Sequence, residues 1–418
     1  MILRRLRLPL AIAALAAAAV LSGCDYDAPA VANKIHGQRL TIYASVPLQG
    51  ASSVSAQAVV DGAQLALDSI HARIGAYRIR FRELDDATAQ SDRWDPGQTT
   101  LGVHAAMVDP TTIGYIGDFN SGATAVSIPL LNRADIPQIS PSSTAVGLTR
   151  GGPEASPGEP IKYYPTGRRT FVRVVPNDSV QAVVLARLMR SVGCTKTYLL
   201  DDGEVDGQDI AASLEVAAKA ARLNVVGLQE YERKATDYSS LATGVAQTHA
   251  NCVFVGAIPE DNAVLLTRQV AAALPDAKIF GPATLAQTTF VNPVQGGIPL
   301  SIDPRVLITV AAFDPASYPP AGRAFLALYQ RRFGPPEPYA IYGYEAMSLM
   351  LDAISRATDH GTLPVLRSKV LQALFATRDR HSVLGTYSID SDGDTSLDRY
   401  GVWRVVDGRL AFWKAITG

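Results

Sequence analysis

The chain has 418 residues, with 38 basic against 39 acidic side chains and a formal net charge of −1. That balance excludes the basic footprint of a nucleic-acid-binding protein. With 47% hydrophobic and 18% charged residues the chain is also not a disordered one. A single long uncharged apolar run, at the start, excludes a polytopic membrane protein.

Arg4, Arg5 and Arg7 precede an alanine-rich, uncharged stretch at residues 8–21. That stretch is shorter than the ~20 residues a spanning helix needs, and it reads as a secretory signal. Leu21-Ser22-Gly23-Cys24 follows and resembles the bacterial lipobox. Its small residues admit the signal peptidase, and the Cys24 thiol accepts a diacylglycerol. The expectation is a lipoprotein signal peptide at 1–23, a lipidated Cys24 and a polar tether at 24–37. The protein would be exported and lipid-anchored to the outer face of the cell membrane or in the periplasm.

Residues 40–46 are rich in β-formers and predict a first strand. Val59, Ala63, Ala66, Leu67 and Ile70 recur at helical spacing. Residues 77–82 alternate strictly, as in a strand with one wet face. A helix near 101–107, a strand at 112–117, a helix at 122–132 and a short strand at 137–139 follow. Repeated β-α-β means a parallel sheet with helices on both faces. Glycine and proline crowd residues 146–168, which predict a long surface loop.

The alternation then restarts, with strands at 171–175, 197–200, 225–231, 252–255 and 278–280 between helices at 179–192, 210–223, 239–249 and 263–274. A strand at 306–311, helices at 321–333, 339–357 and 365–375, and strands near 386–389, 402–406 and 410–413 complete the chain. The fold class is α/β: two doubly wound parallel-sheet lobes around a ligand cleft, which lies beyond the carboxyl ends of the strands. Cys194 and Cys252 precede or open the first and third strands of the second unit. In a flavodoxin-like order those strands are neighbours ~4.8 Å apart, so a disulfide is one expectation. Two buried free thiols are the other.

Gly117-Asp118-Phe119-Asn120-Ser121-Gly122-Ala123-Thr124 almost matches a phosphate-binding loop, but Ala123 stands where the lysine belongs. What remains is a strand, a polar turn and a helix N-terminus. Backbone N–H groups, the Ser121 hydroxyl and the positive dipole end suit one carboxylate; simple capping by Ser121 is the plainer alternative. Ser140-Pro141-Ser142-Ser143-Thr144 is a second hydroxyl-rich turn, at the end of the neighbouring strand. Two such turns can grip both ends of an α-amino-acid head group.

Other motifs fail. Gly-x-Ser-x-Gly, His-Glu-x-x-His and Cys-x-x-Cys are absent, and the six histidines are scattered. Asp390-Ser391-Asp392-Gly393-Asp394 has its glycine fourth rather than sixth, so a polar turn is expected instead of a calcium loop. Asp85-Asp86 read as solvated acids at the end of an exposed strand. Asp201, Asp202, Glu204 and Asp206 follow the first strand of the second unit. They either serve a cation at the cleft or cap the next helix. No catalytic residue, metal or cofactor is expected.

Taken together, several short motifs resemble the periplasmic leucine/isoleucine/valine-binding protein family, the type I solute-binding proteins of ABC importers. They are Pro47-Leu48-Gln49-Gly50, Asp61-Gly62-Ala63, Asp85-Asp86, Ile116-Gly117 and Ile136-Pro137-Gln138-Ile139-Ser140-Pro141. Phe171-Val172-Arg173-Val174-Val175-Pro176-Asn177-Asp178 and Tyr342-Gly343-Tyr344-Glu345-Ala346 continue the series in order. The resemblance implies the type I periplasmic-binding-protein fold, with lobe I at 38–174 and 312–398 and lobe II at 175–311 and 399–418. It places Ser121, Ser142 and Thr144 on the ligand head group, with Gln49 and Asn120 beside them. A family aromatic falls near Ser55, and a second-lobe tyrosine falls near Asp206. The family's acidic residue for the ammonium follows a Gly-Pro pair; here Gly281-Pro282 is followed by Ala283. Asp206 is then the candidate replacement counter-charge. The implied partners are a small-molecule ligand, an amino acid or amide-like solute, and an ABC permease, with the membrane reached through the lipid and no nucleic acid. A ligand sensor of the same fold without transport is an alternative. An amidase-like enzyme is another, although no histidine or cysteine lies in the candidate turns.

Overall fold

The structure, a computed structural model, describes residues 33–418. The signal-like run, Cys24 and most of the tether lie outside the described residues. Among the described residues no helix is long and apolar enough to cross a membrane.

The first half of the chain runs β1 (Arg39–Val46), α1 (Ser53–Ser69), β2 (Arg73–Ile74), β3 (Tyr77–Asp85), β4 (Ala87–Thr88), β5 (Arg93–Trp94), α2 (Pro96–Val108), β6 (Thr112–Ile116), α3 (Ser121–Arg133), β7 (Gln138–Ser140) and β8 (Phe171–Arg173). Six of these strands form one sheet in the order β2-β3-β1-β6-β7-β8, parallel except for the β2–β3 pair. β1 is buried along almost its whole length, as a central parallel strand must be, whereas β3 alternates at its start between buried and exposed positions. The small β4–β5 hairpin stands apart from the sheet.

The second half adds α4 (Asp178–Ser191), β9 (Thr197–Asp201), α5 (Val205–Ala221), β10 (Val225–Glu230), α6 (Ser239–Gln247), β11 (Cys252–Gly256), α7 (Val264–Ala273), β12 (Lys278–Gly281), α8 (Thr288–Val291) and β13 (Val306–Val310). It ends with α9 (Pro320–Phe333), α10 (Ala340–Ala357), α11 (Arg367–Phe375), β14 (Arg380–Ser382), β15 (Gly385–Tyr387), β16 (Arg399–Val406) and β17 (Arg409–Thr417). The second sheet runs β10-β9-β11-β12-β13-β16-β17. It is parallel through β13, and β16 and β17 close its edge as an antiparallel hairpin. The molecule is thus two parallel-sheet lobes, the α/β architecture read from the sequence.

α10 returns to the first lobe and lies against α1. Two glycines set how closely. A Cβ on Gly62 would sit 2.1 Å from the Ala340 carbonyl oxygen, and one on Gly343 would sit 2.1 Å from that of Val59. Only glycine allows this mutual approach of two backbones, which gives Asp61-Gly62-Ala63 and Tyr342-Gly343-Tyr344 a packing role.

Cys194 and Cys252 are joined by a disulfide with a Cα–Cα distance of 5.7 Å. Cys252 opens β11 opposite Thr197, which opens β9. The bond therefore ties the amino ends of two parallel neighbours.

Three local expectations need correction. The segment 146–168 is not simply a surface loop: its ends form 3-10 turns at Val146–Leu148 and Ile161–Tyr163, and Leu148, Tyr163 and Tyr164 are buried. The acidic turn at 390–394 is not merely solvated. Arg150 pairs with Asp390 and, at 2.8 Å, with Asp394, while the fully buried Arg173 pairs with Asp394 at 2.7 Å. The turn thus anchors that segment. Nor are Asp85 and Asp86 held by solvation. Asp85 accepts the N–H groups of Leu48 and Ala87, both at 2.9 Å. Asp86 is 1% exposed and accepts the Ser45 hydroxyl at 3.3 Å.

Candidate functional site

The site begins with two turns at the carboxyl ends of β6 and β7. After β6 the chain turns through Gly117–Asn120, and Asn120 caps α3, so Ser121 is the first helical residue. After β7 it turns through Pro141–Thr144. Ser121, Ser142, Ser143 and Thr144 are all buried. A buried N–H without an acceptor is costly, and the serines supply acceptors locally. Ser140 Oγ accepts the N–H groups of Ser142 at 3.2 Å and Ser143 at 2.9 Å. Ser121 Oγ accepts those of Thr144 and Ala145, both at 3.2 Å. The Ser142 hydroxyl donates to the Phe119 carbonyl at 2.7 Å.

The second lobe meets these turns with carboxylates. Asp206 lies in the first turn of α5. Its two oxygens accept the Ser121 N–H at 3.1 and 3.3 Å, at the positive N-terminus of α3. Burial raises the Asp206 carboxyl to about 6, against the pull of the Ser121 hydrogen bonds and the Arg93 charge. Asp209, three residues on and on the same helix face, accepts the N–H groups of Val146 at 2.9 Å and Gly147 at 3.3 Å. Burial raises it to about 7, opposed by those two donors.

Around this centre the lobes are pinned by further contacts. Arg93 of the β4–β5 hairpin reaches Glu204 at 2.5 Å and also pairs with Asp261; Arg233 shares Glu204. The Ser52 N–H donates to Glu260 at 2.6 Å. Gln287 donates to the Ser52 hydroxyl at 3.1 Å, and Thr289 to the Ala51 carbonyl at 3.1 Å. Glu337 accepts the hydroxyls of Ser55 at 3.1 Å and Thr288 at 2.7 Å. Phe119 and Tyr339 meet edge to face, 5.6 Å between ring centres. Asp178 is 2% exposed, and burial together with the Asp209 and Asp206 charges pushes its carboxyl well above the usual range. Its N–H donates to the Thr144 carbonyl at 2.9 Å. The cleft is closed.

Ser121, Asn120, Ser142, Thr144 and Asp206 come together here. Gln49 instead donates to Asp85 at 2.7 Å, within its own lobe. Ser55 lies on the seam with Glu337. Ala283 is buried at the start of the 3-10 turn that follows β12 and offers no polar side-chain atom. The sequence reading missed Arg93, Asp178, Asp209, Glu260, Asp261 and Tyr339. Of these only Asp178, which ends the Phe171–Asp178 motif, and Asp209, spaced one helical turn from Asp206, carried a signal. Among the described residues no group of three or more histidine, cysteine, aspartate or glutamate side chains is arranged to hold a metal.

Comparison with known proteins agrees with this architecture. The family model described as periplasmic binding protein matches residues 40–408. A leucine-specific-binding protein of Salmonella typhimurium is 23% identical over 350 residues, covering 82% of this chain and 85% of that one. An amino acid binding protein of Pseudomonas aeruginosa is 24% identical over 364 residues, covering 85% and 87%. Among solved structures, a leucine binding protein from Thermotoga maritima superposes with a TM-score of 0.76 at 18% identity, over 90% of this chain and 99% of that one. A solute binding protein from Rhodopseudomonas palustris in complex with p-hydroxybenzoic acid gives 0.74 at 15% identity, over 91% and 97%. The same fold thus carries both amino-acid and aromatic-acid ligands in its relatives. With two parallel-sheet lobes closed on a cleft and a family match across nearly the whole described chain, the protein belongs to the periplasmic binding protein family.

Proposed function

We propose that the chain is an extracytoplasmic solute-binding lipoprotein that captures an amino acid or related small polar solute between two closing lobes and delivers it to an ABC importer. The carrying observation is the cross-lobe set centred on Ser121 and Asp206, where both walls of the cleft meet through polar groups at the ends of strands. Such contacts form only when the lobes close, so a solute that fits between them shifts an open–closed equilibrium. In this reading lobe I comprises 38–174 with 312–398, and lobe II comprises 175–311 with 399–418. No step in this scheme makes or breaks a bond of the solute. The closed form would be the one a permease reads, and Cys24 would hold the protein at the membrane.

A thermal-shift screen of the purified protein against amino acids, amides, amines and small acids tests the reading. A ligand present at ~100 times its Kd stabilises by about 2.7 kcal/mol, enough to raise the melting temperature by several degrees. A panel in which no compound does so contradicts solute capture. The anchor is tested separately: Cys24→Ala, expressed in a bacterium with a lipoprotein pathway, should leave the membrane fraction. Full retention there would contradict lipidation.

A further inference from the structure

The donors that would hold a ligand carboxylate are already used by the protein. The N–H groups of Ser142 and Ser143 go to Ser140, those of Thr144 and Ala145 to Ser121, and those of Val146 and Gly147 to Asp209. The Ser121 N–H, at the helix N-terminus, goes to Asp206. We propose that Asp206 sets the ligand class: the cleft takes a small organic ammonium that carries no carboxylate, and it refuses α-amino acids. This rests on the solute-binding reading above and narrows it.

Asp206 supplies from within the protein the anion that the α3 N-terminus favours, so a second carboxylate arriving there meets like charge instead of donors. Asp178 adds an independent observation. It is 2% exposed, its Oδ2 has no hydrogen-bond partner among the described residues, the Asp206 charge acts on it, and its own charge acts on the Tyr339 hydroxyl. A buried carboxylate oxygen without a donor is costly, and an ammonium supplies three donors. The charges around the cleft point the same way. Asp178, Glu204, Asp206, Asp209, Glu260 and Asp261 face Arg93, Arg173 and Arg233, and Arg173 is held by Asp394.

The test compares compounds that share a tail and differ in the head group. Three sets cover three tail sizes: ethylamine, alanine and propanoate; isopentylamine, leucine and 4-methylpentanoate; phenethylamine, phenylalanine and 3-phenylpropanoate. Calorimetry on the wild-type protein should find at least one amine bound about tenfold or more tightly than its parent amino acid, a difference of one decade in Kd. An amino acid bound more tightly than its amine overturns the proposal while solute capture stands. Failure of all three amines to bind also overturns it, and the wider screen then decides whether any solute is captured. Asp206→Ala frees the Ser121 N–H, so amine affinity should fall and carboxylate affinity rise, each about tenfold. Asp206→Asn keeps the size and an acceptor for that N–H while removing the charge, and it guards against a misfolded alanine variant. Unchanged amine affinity in the asparagine variant would overturn the assignment.

Discussion

The two walls of the cleft are built on different principles. The first-lobe wall consists of turns whose N–H groups are mostly satisfied by serines of the same lobe, Ser121 and Ser140. The second-lobe wall consists of carboxylates, Asp206, Asp209 and Glu260, whose partners lie across the gap. The first wall therefore keeps its shape whether the lobes are together or apart. The second gains its hydrogen bonds on closing and gives up hydration to do so, which is why burial raises the carboxyls of Asp206, Asp209 and Glu260. The cost of closing resides in the second wall.

The largest effect is expected far from either wall. The disulfide closes a separation of 58 residues at the amino ends of β9 and β11. Replacing both cysteines by serine should cost about 4 kcal/mol of stability in the chain-entropy model. It should lower the melting temperature and leave ligand affinity almost unchanged. An equal loss of affinity would mean that second-lobe stability and cleft chemistry are not separable.

Arg93→Ala strikes the second wall. It removes the cation between Glu204 and Asp261, leaving Glu204 with Arg233 and Asp261 without its ion-pair partner in a closed cleft. Loss of one partner of a buried pair costs about 3–5 kcal/mol. Arg93 is 16% exposed, so about 3 kcal/mol of closed-state stability is expected. The amides of Ser52 and Ser121 should then exchange with deuterium on the order of a hundredfold faster. Unchanged exchange would show that the latch contributes nothing.

Ser121→Ala strikes the first wall and tests its independence. It removes the acceptor of the Thr144 and Ala145 N–H groups. Leaving a buried donor unsatisfied costs about 1–3 kcal/mol, so a stability loss of about 2 kcal/mol is expected on chemical denaturation. A variant as stable as wild type would show that the turn holds its shape without the hydroxyl.

The first wall was legible in the sequence and the second was not. Ser121, Ser142 and Thr144 stand in polar turns directly after strands, and hydroxyl-rich turns at strand ends announce themselves in one dimension. The carboxylates do not, because their role depends on which residue of the other lobe each one meets. The sequence offers Asp206 as a candidate counter-charge for a ligand ammonium, but not its contact with the Ser121 N–H across the cleft. Arg93 lies in a short hairpin with no motif, and only the closed arrangement reveals its partners. The strands and helices followed from periodicity, and the disulfide expectation followed from the neighbourhood of β9 and β11. The buried ends of the 146–168 segment escaped because Arg173 and Asp394, which hold it, are far apart in sequence and meet only in the fold.

Small-angle scattering of the ligand-free protein tests most directly the claim that the second-lobe carboxylates hold part of the population closed before a solute binds. The wild-type curve should lie between those of the open and closed forms, and Asp206→Ala should shift the population toward a larger radius of gyration. A wild-type curve already fully open, and identical to that of Asp206→Ala, would contradict the account.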